Sequence, residues 1–482
     1  MLPSSDSPAP EPLKRPNSSS NLSKTTNNPL YSVHILISTH PRTWLLLSII
    51  LLQLFLLLTI RSLPSATTTA ASAAAAASSS AAACEYGRVY VYDLPPMFNK
   101  ELVENCHDLN PWGSRCDALA NDGFGRSAGA AMAGIVPENL TSRWFWTDQF
   151  ATELIFHRRV LRHQCRTLDP DSATAFYLPF YAGLAVGKFL WSNSTAPERD
   201  FHSRALLLWA QHHHPYWNRS NGWDHFITLG RITWDFRRSK DEDWGSSFIY
   251  MNQMKNVTRL LIERNPWDYF DVGVPYPTGF HPKTQSDLHT WQHFVRTRRR
   301  DLLFSFAGAT RGAIRNDFRG VLLRHCYDEP DACRVVDCAG TRCANGTADI
   351  LKTFLGSDFC LQPRGDSFTR RSIFDCMLAG SIPVFFWRRT AYYQYEWFLP
   401  VEPGSYSVFI DRNEVKNGTS IRGVLERFSR EDVRRMRNKV IDCIPKLVYA
   451  DVDEGGFGGV RDAFDVAVDG VLRRFSEGPK WR

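Results

Sequence analysis

The chain has 482 residues, enough for two or three domains of roughly 100–200 residues each, and its 43% apolar and 22% charged content is that of a globular protein. A net charge of +7 suits nucleic acid, a membrane surface or an anionic small molecule. The basic residues are scattered, however; the one dense run is RTRRR at 296–300, and no zinc-finger spacing or other nucleic-acid motif accompanies it, so no nucleic-acid partner is expected.

Residues 43–60 read TWLLLSIILLQLFLLLTI, with no charge and a single amide, Gln53. About 18 such residues can cross a bilayer. They follow 42 polar residues, unlike the apolar region of a cleaved signal peptide. Lys14, Arg15, Lys24 and Arg42 precede them; Arg61 follows, with no further charge until Glu85. That bias predicts a cytosolic tail at 1–42, a signal-anchor at 43–60 and a lumenal body. Residues 61–83, rich in Ala, Ser and Thr, cannot build a core and read as a stem.

Two features agree with a lumenal body. Glycosylation triplets follow the anchor at Asn139, Asn193, Asn218, Asn256, Asn345 and Asn417; Asn17 and Asn21 match too but would be cytosolic. All 11 cysteines also follow the anchor. Cys326, Cys333, Cys338 and Cys343 lack the paired spacing of zinc sites and read as disulfides, with Cys106 and Cys116 a further candidate pair. The odd count leaves at least one thiol free or joined to another chain. The layout is that of a single-pass type II protein of the Golgi membrane.

The body begins near Cys84. GRVYVY (87–92) reads as a strand. Residues 146–162 have helical periodicity, with Phe150, Leu154 and Leu161 on one face. A strand at 173–181, a helix from Leu206 and a strand at 225–229 follow. The pattern restarts after Pro282: a strand at 301–306, a helix at 316–325, a strand at 359–361, a helix at 372–379 and a strand at 382–386. At 462–475 a last helix puts Phe464, Val468, Leu472 and Phe475 on one face. Alternating strands and helices predict parallel α/β sheets in two Rossmann-like domains, 84–290 and 291–482.

The stretch DFCLQPRGDSFTRRSIFDCMLAGSIPVFF (358–386) carries the clearest chemistry. Its loop lies between a strand and a helix, where ligands bind in parallel sheets. A helix N-terminus offers free N–H groups and partial positive charge. Gly365 permits close backbone approach, and Arg364, Arg370 and Arg371 add forked donors suited to phosphate. Asp375, one turn into the helix, can accept from ribose hydroxyls. The plainer readings are an Arg371–Asp375 ion pair and a helix cap from Asp366 or Ser367. A diphosphate and a ribose in a lumenal protein point to a nucleotide sugar.

This stretch resembles the signature of the exostosin-like glycosyltransferases, family 47. GRVYVYDLP (87–95), NPWGSRCDALANDGFG (110–125), FYLPFYAGL (176–184), GWDHFITLGRITWDFRR (222–238), DVGVPYPTGFHP (271–282) and FAGATRG (306–312) are similar to its plant xyloglucan galactosyltransferase branch. The resemblance covers about residues 84–476. It implies a GT-B fold, with two Rossmann-like domains facing a cleft and UDP-sugar on the C-terminal one. It also implies inverting, metal-independent transfer of β-galactose from UDP-galactose to a side-chain xylose of xyloglucan. No cofactor is then expected, since UDP-sugar is a substrate, and other xyloglucan synthases are candidate partners. Asp375 stands where the family often carries Glu. Arg364, Asp366, Ser367, Arg370 and Arg371 match the donor loop, and Gly308 and Arg311 match a second turn near the diphosphate.

Inversion needs a base for the acceptor hydroxyl. The family's usual His is not matched in GRITWDF; Asp235 and then Asp224 are the candidates, each with a plain role as cap or ion-pair partner. Trp112, Trp217, Trp223 and Tyr181 are candidates to stack on glucan, against the plainer reading of core packing. His212 to His214 read as a solvated run. Related branches transfer arabinose or galacturonic acid, and no residue excludes them. Two rivals stand beside this reading. A metal-dependent transferase would use Asp451 and Asp453, or Asp241 and Asp243, on Mn. A non-catalytic lumenal protein would bind glucan or scaffold other synthases.

Overall fold

Apolar runs without alternation become strands buried on both faces, as in parallel sheets covered by helices. The structure, a computed structural model, describes residues 41–62, 84–110, 114–213, 215–311, 317–340, 343, 348–452 and 457–478. The tail at 1–40, the stem from 63 to 83, Trp112, His214, Asn345 and Asp453 lie outside the described residues. The chain divides into two units, Met1–Ala74 and Ala75–Arg482. In the first, Pro41–Ser62 is a helix whose side chains from Trp44 to Leu58 are exposed. Among the described residues no helix is long and apolar enough to cross a membrane.

The second unit holds two sheets. The first comprises β1 (Val89–Val91), β2 (Arg166–Thr167), β3 (Ala175–Leu178), β4 (His225–Ile232), β5 (Thr258–Glu263) and β6 (Asp271–Gly273), in the order β2-β1-β3-β4-β5-β6. The second comprises β7 (Leu302–Gly308), β8 (Cys333–Asp337), β9 (Ser357–Gln362), β10 (Ile382–Phe385) and β11 (Val408–Phe409), in the order β11-β10-β9-β7-β8. Every named pair is parallel. The strands expected from the apolar runs are β1, β3, β4, β7, β9 and β10. The other five were not foreseen.

The helices differ mainly at their starts. The periodic run at 146–162 is helical only over Thr152–Leu161. Before it the Asp148 carboxylate accepts the Phe150 N–H, and the Thr147 hydroxyl donates to the Phe124 carbonyl, so local side-chain bonds hold a turn there. The helix expected from Leu206 begins at Ala196, behind Thr195, whose N–H and hydroxyl both donate to Glu198. The last helix is Ala463–Glu477, with a capping box between Asp462 and Asp465.

One core joins the two sheets. Ile155, Leu260 and Tyr276 from the first half pack in one cluster with Phe374, Tyr395 and Phe464 from the second. The last helix returns to the first sheet: Arg159 forms a fully buried ion pair with Asp462, and its other nitrogen lies 3.1 Å from Asp465. Five disulfides brace the body: Cys84–Cys165, Cys106–Cys116, Cys326–Cys333, Cys338–Cys343 and Cys360–Cys376. Cys443 is the free thiol, buried. Within the basic run at 296–300, Arg300 donates to the Phe354, Ser357 and Ala379 carbonyls, Arg298 lies over the Phe294 ring, and Arg296 and Arg299 form exposed pairs with Asp442 and Asp301.

Candidate active site

The C-terminal ends of β4 and β9 face one cleft of about 850 Å³. The first half lines it with Phe150, Arg231, Trp234, Asp235 and Trp244, among others; the second half supplies Arg364, Asp366, Ser367, Phe368 and Trp387. Strand direction explains the meeting: each parallel strand delivers its following loop to the same edge. Arg231 and Ile232 close β4, and Arg364 follows Gln362, the last residue of β9.

On the donor side a tight turn concentrates positive charge. A Cβ on Gly365 would stand 1.9 Å from the Thr369 carbonyl, so only glycine fits there. Arg311 and Arg319 approach the exposed Asp366 carboxylate at 3.7 and 3.5 Å, and Arg319 also donates to the Arg364 carbonyl. Arg370 donates to the Ala307 carbonyl at 2.7 Å, beside Gly308. Burial and the neighbouring guanidiniums hold Arg319, Arg364 and Arg370 below the usual arginine range. Asp317 and Asp366 pair with Arg311, and Asp366 also with Arg319, while Glu263 and Asp375 are the further carboxylates that act on Arg364 and Arg370. Arg319 Nε, Arg364 Nε and Arg370 Nη1 are buried without a hydrogen-bond partner among the described residues. Buried donors of this kind call for an acceptor, and the excess charge suits a dianionic diphosphate.

The opposite wall is aromatic and carries the carboxylate. Trp234 is exposed, and Trp191 and Trp244 meet edge to face at 4.7 Å. Asp235 is buried in the short turn after β4; Arg231 Nε donates to one oxygen at 2.6 Å and Trp244 Nε1 to the other at 2.8 Å. Beneath Gly183 lies Glu153, whose Oε1 accepts the Gly183 and Gly230 amides at 2.7 and 2.9 Å. Burial pushes its carboxyl up to about 8, against the pull of those amides.

The sequence matches the Exostosin GT47 domain over residues 83–425. The chain belongs to the exostosin GT47 family. It is 60% identical to Xyloglucan galactosyltransferase XLT2 of Arabidopsis thaliana over 516 aligned residues, covering 100% of this chain and 99% of that one. It is 39% identical to Xyloglucan-specific galacturonosyltransferase 1 of the same plant, over 82% of this chain and 58% of that protein. Xyloglucan galactosyltransferase MUR3, also from Arabidopsis thaliana, is 39% identical over 80% of this chain and 61% of its own. As an exostosin GT47 member the chain is a glycosyltransferase.

Within this GT47 domain the residues singled out from sequence fall into three groups. Asp235, Arg364, Asp366 and Ser367 line the cleft, with Arg311 and Arg370 beside them and Gly308 closing β7. Arg371 and Asp375 pair at 3.2 Å and line a separate cavity of about 30 Å³ with Trp144 and Trp146. That volume admits a water rather than a nucleoside. Burial raises the Asp375 carboxyl, opposed by Arg371. The third group lies elsewhere. Asp224 stands before β4 in a chain to His225 (2.7 Å) and Tyr92 (2.8 Å), about 25 Å from the cleft end of the strand. Trp223 packs on Phe270, Tyr181 is buried against His157, and Trp217 is a core residue.

The rivals' carboxylates have other partners. Asp451 pairs with Arg158 at 2.6 Å and Lys283 at 3.2 Å; Asp241 pairs with Arg238, and Asp243 accepts from Ser239. The described residues with metal-ligand spacing are Cys106, His107 and Cys116, and the two cysteines are joined to each other. The sequence reading missed Arg319, Glu153 and Glu263, and the cleft tryptophans Trp191, Trp234 and Trp244. Arg319 could have been found as a basic residue shortly after FAGATRG; the two glutamates sit inside apolar runs and carried no signal beyond that.

Proposed function

We propose that this chain transfers β-galactose from UDP-galactose to a side-chain xylose of xyloglucan. The observation that carries the reading is the 60% identity to a xyloglucan galactosyltransferase across the whole of both chains. The paired parallel sheets around a cleft support a GT-B reading of the fold. In the proposed reaction the acceptor hydroxyl attacks C1 of galactose, the bond from C1 to the UDP oxygen breaks, and the configuration inverts. The hydroxyl proton goes to the Asp235 carboxylate, which faces the cleft. The negative charge arriving on UDP is met by Arg311, Arg319, Arg364 and Arg370, so the proposal needs no metal. Exposed Trp234 and its neighbours Trp191 and Trp244 offer stacking faces to the glucan.

The proposal includes a Golgi membrane anchor at 43–60 with a lumenal body. Its support is the uncharged apolar run in the sequence; the described helix exposes Trp44 to Leu58 but is not by itself long and apolar enough to cross a membrane. Five disulfides and exposed Asn139, Asn193, Asn218 and Asn417 fit an oxidising, glycosylating compartment; Asn256 is half-buried.

The test incubates the purified 482-residue chain with xylosylated glucan oligosaccharide and a panel of UDP-sugars, each with and without EDTA. One hexose added from UDP-galactose to a single xylose, with EDTA present, is the expected result. A uronic acid would correct the donor toward that of the galacturonosyltransferase relative. Activity lost in EDTA would overturn the metal-independent mechanism.

A further inference from the structure

Glu263 ends β5 in the first half of the molecule, yet its side chain serves the second. It is fully buried, and its Oε2 accepts the backbone N–H groups of Phe368 and Thr369, each at 2.9 Å. Those amides belong to the arginine loop between β9 and the helix Ser372–Leu378. The same turn presses Gly365 against the Thr369 carbonyl, so fixing 368–369 fixes the backbone beside Arg364. Around Glu263 the contact is reinforced but not duplicated. The Tyr395 hydroxyl donates to the Ile262 carbonyl at 2.8 Å, and Gln394 exchanges two hydrogen bonds with the Arg264 backbone. The Tyr395 hydroxyl also lies 3.3 Å from the Thr369 hydroxyl, a second tie to the loop, while Glu263 holds the backbone amides.

A carboxylate taking two consecutive backbone amides is a specific arrangement. Consecutive backbone amides in a turn form a concavity that binds anions. Here an internal carboxylate holds them, so the arginines project from a fixed backbone before any ligand arrives.

We propose that Glu263 is a positioning residue for the donor: by holding the Phe368 and Thr369 amides it presets the 364–371 loop for the sugar-nucleotide diphosphate and ties that loop to the acceptor half. This rests on the donor-loop reading given above. Arg364, Asp235 and the hydroxyls of Tyr276 and Tyr395 are the ionisable groups around it. Burial pushes the Glu263 carboxyl up to about 7, with Asp235 adding to the rise and the Thr369 and Phe368 amides and Ser367 opposing it. A diphosphate bound nearby disfavours a second negative charge, so donor affinity falls as pH rises through about 7. A glutamine keeps the acceptor oxygen and stays neutral.

The experiment measures UDP-galactose binding to the 482-residue chain by calorimetry, without acceptor, between about pH 6 and about pH 8. Wild type, Glu263→Gln, Glu263→Ala and Arg364→Ala are compared, with thermal unfolding of each. Wild type should lose about fivefold in affinity across that range, the part of a one-unit pKa rise on binding, from about 7, that falls between those two pH values. Glu263→Gln should bind like wild type at the acid end and show no such loss. Glu263→Ala should bind at least about tenfold more weakly throughout, and in turnover assays raise KM for UDP-galactose more than it lowers kcat. Folded Glu263→Ala with unchanged affinity overturns the inference. If Arg364→Ala also binds normally, the donor-loop reading itself fails; if only Arg364→Ala weakens binding, the Glu263 inference alone fails.

Discussion

Arg231 Nε donates to Asp235 at 2.6 Å while Trp244 Nε1 holds the other carboxylate oxygen at 2.8 Å. Both oxygens are aimed by neighbours, as a fixed base requires, and each keeps a second lone pair for a proton. Asp235→Asn preserves the shape but cannot accept that proton. It should lower kcat by about 10²–10⁴-fold and leave UDP-galactose affinity unchanged. Single-turnover kinetics alongside calorimetry separate these. An Asn variant with near wild-type kcat would remove Asp235 from the chemistry.

Arg319 reaches the donor turn twice, lying 3.5 Å from Asp366 and donating to the Arg364 carbonyl. Its removal takes one of four guanidiniums from the site. Arg319→Ala should cut kcat/KM for UDP-galactose by about 10²-fold, the cost of one preorganised donor to developing charge. Arg319→Lys should recover only part of that, because an ammonium cannot reproduce the fork. Equal activity of Lys and Arg variants would mean that charge alone matters.

Much of this site was legible from its punctuation. Gly365, three arginines and a helix start mark the donor loop in the sequence, and the structure puts Arg364 in the cleft and Arg370 beside it. The strand β5 was not legible because Arg259 and Glu263 break its apolar run. Both are buried, and Arg259 is matched by Asp271 and Asp268, each at 2.7 Å. Such compensation comes from residues close in space, which a linear pattern does not display. β2, β6 and β11 have two or three residues each, too few for any period to show. In GWDHFITLGRITWDFRR Asp235 ranks ahead of Asp224, with no linear signal strong enough to remove either. Only the direction of β4 separates them, carrying Asp235 to the cleft and leaving Asp224 at the far end.

The buried Arg159–Asp462 pair fastens the last helix to the first half. Arg159 also donates to the Ala450 carbonyl at 3.0 Å. Arg159→Met strands the Asp462 carboxylate in the core and should cost about 3–5 kcal/mol of stability. Arg159→Met with Asp462→Leu should recover much of it, since an apolar pair of similar volume is tolerated there. Urea unfolding of the single and double variants measures both. A double variant no better than the single would show that the Ala450 contact and the helix cap dominate.

Glu153 makes stability depend on pH in a defined direction. Its folded carboxyl is raised to about 8 by burial, above the unfolded value. The folded state therefore holds a proton that the unfolded chain releases. Stability from this group is fully present below the unfolded pKa of about 4.3 and is lost as pH rises toward about 8. Glu153→Gln, neutral throughout, should shrink the fall in melting temperature between about pH 5 and about pH 8. An unchanged fall would assign the dependence to other groups, such as Asp465, whose carboxyl is also pushed up by burial and the neighbouring Asp462.

Cys360 in β9 is bonded to Cys376 in the helix that follows, so the disulfide closes the segment that carries Arg364, Arg370 and Arg371. Closing a loop of this length stabilises by about 3 kcal/mol through the unfolded chain. It also restrains both ends of the donor turn in the folded state. Cys360→Ser with Cys376→Ser should therefore lower the melting temperature and weaken UDP-galactose binding together. The two effects separate cleanly. If the variant melts earlier but binds the donor as wild type does, the bond serves stability alone, and the Glu263 clasp with the packed turn at Gly365 suffices to shape the loop. If binding weakens even well below the melting transition, the loop needs covalent restraint at its ends as well as the clasp in its middle.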